Sequence, residues 1–254
     1  MNKICTIICN YNYKDFVIKA IDSAINQTYE NHDVYFVDDG STDGSFELVK
    51  EKYPAGSATM SHSGAIYEFN NLKYARIKNS GASVARNFGI QMATKRNKYD
   101  AIHILDSDDS IFKHKIETME KVLFEHDEIG VVYGDYFIFR PTYAKYEYKK
   151  PYSYGALINE CIVHSGSMIK TKYLNAVAPN GVVYNPELHG PGSETFRGCT
   201  EDYDLWLRLS RVCMMAHIPE CLMIVNEHGN NQSSRMTPGI FAKNMDIIRK
   251  GMNV

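Results

Sequence analysis

The spacing of apolar positions alternates between two periods through the first half of the chain. Ile4–Cys9 is a continuous apolar run, the pattern of a strand buried on both faces. In Lys14–Gln27, the residues Val17, Ala20, Ile21, Ala24 and Ile25 recur at i, i+3, i+4, i+7 and i+8. That spacing predicts a helix with one buried stripe. Val34–Val37 predicts a second strand, and Asp43 stands where an N-cap belongs, before a helix that turns Phe46, Val49 and Tyr53 inward and ends at Pro54. The strand Tyr74–Ile77, the helix Ala82–Thr94 and the strand Ala101–Leu105 complete a βαβαβαβ series. Such a series demands a mainly parallel sheet with right-handed crossovers, so the expected class is doubly wound α/β. Ala55–Ser63, poor in large apolar residues, is expected to be a mobile surface loop.

The second half is less periodic. Lys115–Phe124 predicts a helix packed on Ile116, Met119, Val122 and Leu123. Val131–Phe139, Ile162–Ile169 and Met214–Val225 read as strands, and Glu201–Val212 and Pro238–Lys250 as helices. Between them lie the Tyr- and Lys-rich stretch Pro141–Tyr154 and the Gly-rich stretch Asn180–Cys199, placed as a long loop over a site. No linker separates two domains, so residues 1–254 are expected to form one.

Composition narrows the partners. A formal net charge of -2 with intermixed signs gives no basic field for nucleic acid. The six cysteines have neither a Cys-x-x-Cys pair nor metal-like spacing to histidine, as in a reduced compartment. With no leader-like start and no stretch of ~18 apolar residues, neither secretion nor membrane spanning is expected and the expected location is the cytoplasm.

The candidate chemistry lies at two strand ends. Val34–Asp39 runs into Gly40-Ser41-Thr42-Asp43, and Ala101–Leu105 into Asp106-Ser107-Asp108-Asp109. The crevice beyond the carboxyl ends of such strands is where open α/β sheets bind ligands, and grouped carboxylates there suit a divalent cation that offsets a diphosphate. Residues two apart point the same way, so Asp106 and Asp108 both face the crevice and Asp109 turns aside. An ordinary Asp-rich turn gives the same pattern. No G-x-G-x-x-G follows the first strand and no P-loop motif exists.

Five segments in order resemble family 2 glycosyltransferases of the GT-A fold. They are Tyr11-Asn12 with Gln27-Thr28, Val37–Asp43, Asn79–Gly89, Leu105–Asp109 as a DxD motif, and Glu201-Asp202-Tyr203-Asp204-Leu205-Trp206-Leu207-Arg208-Leu209. The resemblance implies a GT-A sheet with a nucleotide-binding half, 1–109, and a mixed acceptor-binding half, 110–254. It implies an inverting transfer from a UDP-sugar to a hydroxyl of a glycan acceptor, lipid-linked in bacterial surface polysaccharide synthesis, with Mn²⁺ or Mg²⁺. By position, Tyr11 borders the base and Asp39 hydrogen-bonds it, while Arg86 meets the nucleotide or diphosphate. Asp106 approaches the ribose and the metal, Asp108 is the principal metal ligand, and His228 completes the shell. Asp202 is the general base.

The residues keep other readings open. Arg86 suits a structural ion pair with an aspartate, Trp206 suits either the acceptor pocket or the core, and His228 suits a solvated loop. Two alternatives of function stand beside the transferase. One is a phosphatase or phosphotransferase with Asp38 or Asp106 as nucleophile, and the other a sugar-nucleotide-binding module without turnover, against which the presence of Asp202 argues.

Overall fold

A computed structural model describes residues 1–61, 64–94, 99–188, 200–229, 231 and 238–251. The Gly-rich His189–Cys199 part of the expected site loop lies outside them. The elements run β1 (Ile4–Asn10), α1 (Lys14–Ile25), β2 (His32–Asp38), α2 (Ser45–Lys52), β3 (Ser57–Ser61), β4 (Gly64–Phe69), β5 (Leu72–Arg76), α3 (Ala82–Thr94) and β6 (Ala101–Asp106). They continue β7 (Ser110–Ile111), α4 (Lys115–Glu125), β8 (Ile129–Arg140), β9 (Tyr143–Glu147), α5 (Tyr154–Asn159), β10 (Met168–Lys170), α6 (Thr171–Val177), α7 (Glu201–Leu209), β11 (Met214–Asn226) and α8 (Pro238–Gly251).

One sheet contains all the described strands in the order β3-β4-β5-β2-β1-β6-β10-β8-β11-β7, with β9 paired to β8. Its centre, β5-β2-β1-β6, is parallel, as the apolar runs of β1, β2 and β6 require. Alternate residues of β1 feed opposite cores. Ile4 and Ile8 pack with α1, α2 and α4, whereas Cys5 and Ile7 pack with α3 and α7. Beyond β6 the sheet is mixed: β10 is antiparallel to β6 and β8, and β8 is parallel to β11.

Several local expectations are corrected. The Ala55–Ser63 loop is instead largely the strand β3, which pairs antiparallel with β4 and extends the sheet through β5. Its residues read as loop because an edge hairpin buries little: Met60, the large apolar residue in it, is 79% exposed. Ile162–Ile169 pairs only from Met168 onward, because the Ser167 amide donates to the Ser165 carbonyl (2.8 Å) and the Gly166 amide to His164 Nδ1 (3.0 Å), a tight turn before β10. Gly44, at φ +87°, takes the N-cap position of α2. Asp43 sits one residue earlier and accepts from the amides of Ser45 and Lys14 (both 2.9 Å), tying the starts of α2 and α1 together. Gly40, which follows Asp39, is needed for close approach: at φ +73° a Cβ would lie 2.7 Å from the Asn79 amide nitrogen.

Candidate active site

Parallel register sets the floor of the site. Asn10 pairs with Asp38, and Cys9 with Asp106, so the ends of β1, β2 and β6 lie side by side. Asp38 belongs to the framework. It is 0% exposed, accepts from Asn10 Nδ2 (3.1 Å) and the Ser41 amide (3.0 Å), and pairs with Arg76 Nε (3.3 Å). A carboxylate so enclosed cannot serve as the nucleophile of the phosphatase alternative.

Asp39, also buried, has each oxygen accepting a backbone amide, from Ser80 (2.8 Å) and Gly81 (2.8 Å), which fixes the segment leading into α3. Tyr11 stands at the rim, 43% exposed. It precedes Asn12, whose left-handed backbone (φ 60°) is held by Ser41 Oγ on its amide and the Thr42 amide on its side chain.

Arg86, on α3, is buried and reaches across the sheet. Its Nη2 donates to Asp106 Oδ1 (2.9 Å) and its Nη1 to Glu201 Oε1 (2.7 Å), so one guanidinium joins the end of β6 to the start of α7. Burial disfavours its charge, but the fields of Asp202, Asp106 and Glu201 outweigh burial and hold its pKa well above the ordinary value. Arg86 is thus ion-paired with an aspartate, Asp106. Asp106 is further held by Ser165 Oγ on its second oxygen (2.7 Å).

Asp108 faces another neighbour. Its Oδ2 lies 3.2 Å from His228 Nε2 and accepts from Asn231 Nδ2 (3.2 Å). The His228 ring stacks on Phe16, with centroids 4.6 Å apart, and meets the edge of Tyr13. A cleft of about 240 Å³ opens here, lined by Asn12, Tyr13, Phe16 and His228 among others. Burial, then the charge of Asp106, pushes the Asp108 carboxyl up to about 6, with the hydrogen bond to His228 opposing. Asp109, expected to turn aside, is buried and accepts from the Asn226 amide (3.0 Å), while Asn226 Nδ2 donates to the Asp108 carbonyl (2.5 Å).

Among the described residues no three His, Cys, Asp or Glu side chains form a ready-made metal cluster. The donor set still fits a hard cation. A desolvated carboxylate repelled by its neighbour gains from any positive charge, and Mg²⁺ or Mn²⁺ takes one or two carboxylates and fills its shell with phosphate oxygens and water. Asp108 and His228 are brought together for this, whereas Asp106 is turned toward Arg86 and Ser165.

Asp202 lies in the first turn of α7, 7% exposed. The preceding Thr200 is held at its hydroxyl by Asn244 of α8 (2.5 Å). Trp206 is fully buried in the core cluster with Leu205 and Leu209, so the core reading holds and the pocket assignment is withdrawn. The residues sequence reasoning missed are amides and hydroxyls: Asn226 and Asn231 beside Asp108, Ser165 on Asp106, and Asn87, which grips Tyr184. Only Asn87 carried a signal, as the neighbour of Arg86 in the Ala85-Arg86-Asn87 segment.

The family model described as Glycosyl transferase family 2 matches residues 5–184. The chain belongs to glycosyl transferase family 2. An uncharacterized glycosyltransferase of Rickettsia felis is 28% identical over 245 residues, 91% of this chain and 35% of the relative. The chain therefore spans about a third of that relative's length. The crystal structure of residues 1–349 of S. aureus TarS in complex with UDP-GlcNAc aligns with a TM-score of 0.69 at 19% identity, over 98% of this chain and 66% of that one. The mannosyltransferase PcManGT of Pyrobaculum calidifontis, in complex with GDP-Man and Mn²⁺, aligns at 0.63 and 15% identity, over 96% and 64%. These likenesses establish the GT-A-type fold of this family 2 member. No helix among the described residues is long and apolar enough to cross a membrane.

Proposed function

We propose that this family 2 domain transfers a sugar from a UDP-sugar to a hydroxyl of a glycan acceptor with inversion at the anomeric carbon. The observation that carries the reading is the Arg86 bridge, which gathers the strand-end carboxylate Asp106 and the Glu201-Asp202 turn of α7 around one cation. Tyr11 at the rim offers a ring face for the base. Asp39 offers a carboxylate for the uracil N3–H, since each carboxylate oxygen accepts more than one hydrogen bond. UDP in complexes of the structurally similar TarS supports uracil as that base.

Asp202 receives the proton of the acceptor hydroxyl as the acceptor oxygen forms its bond to the anomeric carbon. The bond from that carbon to the β-phosphate oxygen breaks on the opposite face, and its electron pair leaves with UDP. A general base in this position contributes ~10²–10⁴-fold. Mn²⁺ or Mg²⁺, held by Asp108 with His228 and Asp106 adjacent, would supply Lewis-acid stabilisation of the departing diphosphate. Arg86 ties Asp106 to the start of α7. The acceptor is a lipid-linked glycan met at the cytoplasmic face of a membrane, where the domain is peripheral.

Asp202→Asn tests the reading, because the amide is nearly isosteric and is no base. UDP affinity is expected to persist by calorimetry while transfer, measured by UDP release with Mn²⁺, falls on the order of 10²-fold or more. Wild-type transfer by the variant would place the base elsewhere.

A further inference from the structure

Tyr184 is 0% exposed, and its hydroxyl has no hydrogen-bond partner among the described residues. Buried tyrosine hydroxyls are normally paired, so one left alone calls for an explanation in function or strain. Its position is not loose. Asn87 of α3 grips the backbone of Tyr184 on both sides, Nδ2 donating to its carbonyl (2.7 Å) and Oδ1 accepting from its amide (2.8 Å). Arg208 of α7 holds the carbonyl of the preceding Val183 (2.5 Å). The ring then lies over the Arg86 guanidinium, 5.3 Å from ring centroid to its carbon. Two elements therefore fix a phenol whose ring has a cation on one side and whose hydroxyl has nothing to bond.

The surroundings say what is missing. Of all the charges about the hydroxyl, that of Asp202 acts on it most strongly, with Asp106 and Glu201 adding to it. The Nε–H of Arg86 is buried and unpartnered too. Two orphaned donors, one on a ring that lies over the guanidinium and one on the guanidinium itself, lack an acceptor among the described residues, and neutral oxygens of a substrate provide one without adding a further negative charge. Resting on the reading of Asp202 as the base, we infer that Tyr184 is a substrate-positioning and specificity-determining residue whose hydroxyl donates to a sugar hydroxyl in the loaded site. A site built to hydrogen-bond a substrate hydroxyl discriminates strongly against the analogue lacking it, because its own buried group is then left unpaired.

Tyr184→Phe keeps the ring on Arg86 and removes only the hydroxyl. With UDP-GlcNAc and UDP-glucose as first donors, UDP affinity is expected to stay at the wild-type value, while kcat/KM for transfer falls about 10-fold or more. The melting temperature is expected to equal or exceed that of wild type, since a buried unpaired hydroxyl is lost. Monodeoxy analogues locate the contact. Wild type is expected to penalise one deoxy sugar, and Tyr184→Phe to lose that penalty. Loss on a deoxy donor assigns the contact to the transferred sugar, and loss on a deoxy acceptor to the acceptor sugar. Unchanged transfer and unchanged discrimination in Tyr184→Phe would overturn the inference while leaving Asp202 as base. So would a lowered melting temperature, which would mean that the hydroxyl has a structural partner. If wild-type protein turns over none of the nucleotide sugars that Asp202→Asn was to test, the transferase reading falls and this inference with it.

Discussion

Replacing Arg86 by Met removes the cation from the junction of β6, α3 and α7 while keeping most of its apolar stem. Glu201, almost wholly buried, loses the donor at 2.7 Å, and the more exposed Asp106 loses the one at 2.9 Å. At an effective dielectric near 20, a charge pair about 4 Å apart interacts by ~4 kcal/mol, and breaking one partner of a buried pair costs ~3–5 kcal/mol. The Asp106 arm adds little to this, because about a third of its side chain meets water and screens it. A loss of ~3–5 kcal/mol in a chain of this length lowers the melting temperature by roughly 6–20 °C, at ~2–4 °C per kcal/mol. Thermal melting followed by circular dichroism at pH 7 reads this directly. Arg86→Met with Glu201→Gln should recover much of the loss, because the amide needs no counter-charge. A single variant melting within about 2 °C of wild type, or a double variant whose loss is the sum of the singles, would refute the reasoning.

Asp108→Ala should abolish any gain in UDP affinity on adding Mn²⁺ while leaving the melting temperature nearly unchanged; calorimetry with Mn²⁺ and with EDTA checks it, and a gain that survives in the variant counts against Asp108 as metal ligand. Trp206→Ala should destabilise by ~3–5 kcal/mol through the cavity it leaves, measured by urea unfolding. A folded variant of wild-type stability would reopen the pocket assignment. Burial pushes the His32 imidazole down to about 4, so it is neutral in the folded protein at neutral pH. Its contribution is complete above the unfolded value near 6.5 and is lost as pH falls toward 4. Over that window this amounts to about 3 kcal/mol at ~1.36 kcal/mol per unit, and His32→Gln should remove that part of the acid sensitivity of urea midpoints.

The first half of the chain was legible because its cues are local. The stripe Val17, Ala20, Ile21 and Ala24 is buried as its spacing requires, and strands closed on both faces announce themselves as apolar runs. The carboxylates Asp106, Asp108 and Asp202 were legible from motif spacing. What holds them was not. The contacts Arg86 to Glu201, Asn226 to Asp108 and Asn87 to Tyr184 each span roughly a hundred residues, and no periodicity encodes them. The edge strand β3 escaped for the opposite reason, since its exposed residues have the composition of a loop.

The run of β11 from Met214 to Asn226 sets a spacing between two chemistries. Its thirteen residues carry the chain from the end of the helix bearing Asp202 to the Asn226 contact with Asp108 and on to His228, roughly 40 Å of extended backbone at ~3.3 Å per residue. Within it, Ile218, Leu222 and Met223 sit in the core. Register shifts on either side of Cys221 bring the adjacent Leu222 and Met223 into that same core, so these irregularities, and not residue count alone, set the phase in which the strand reaches Asp108. The β3–β4 ribbon at the far edge carries no such obligation, and insertions there change the outline of the molecule without altering the approach of Asn226 to Asp108.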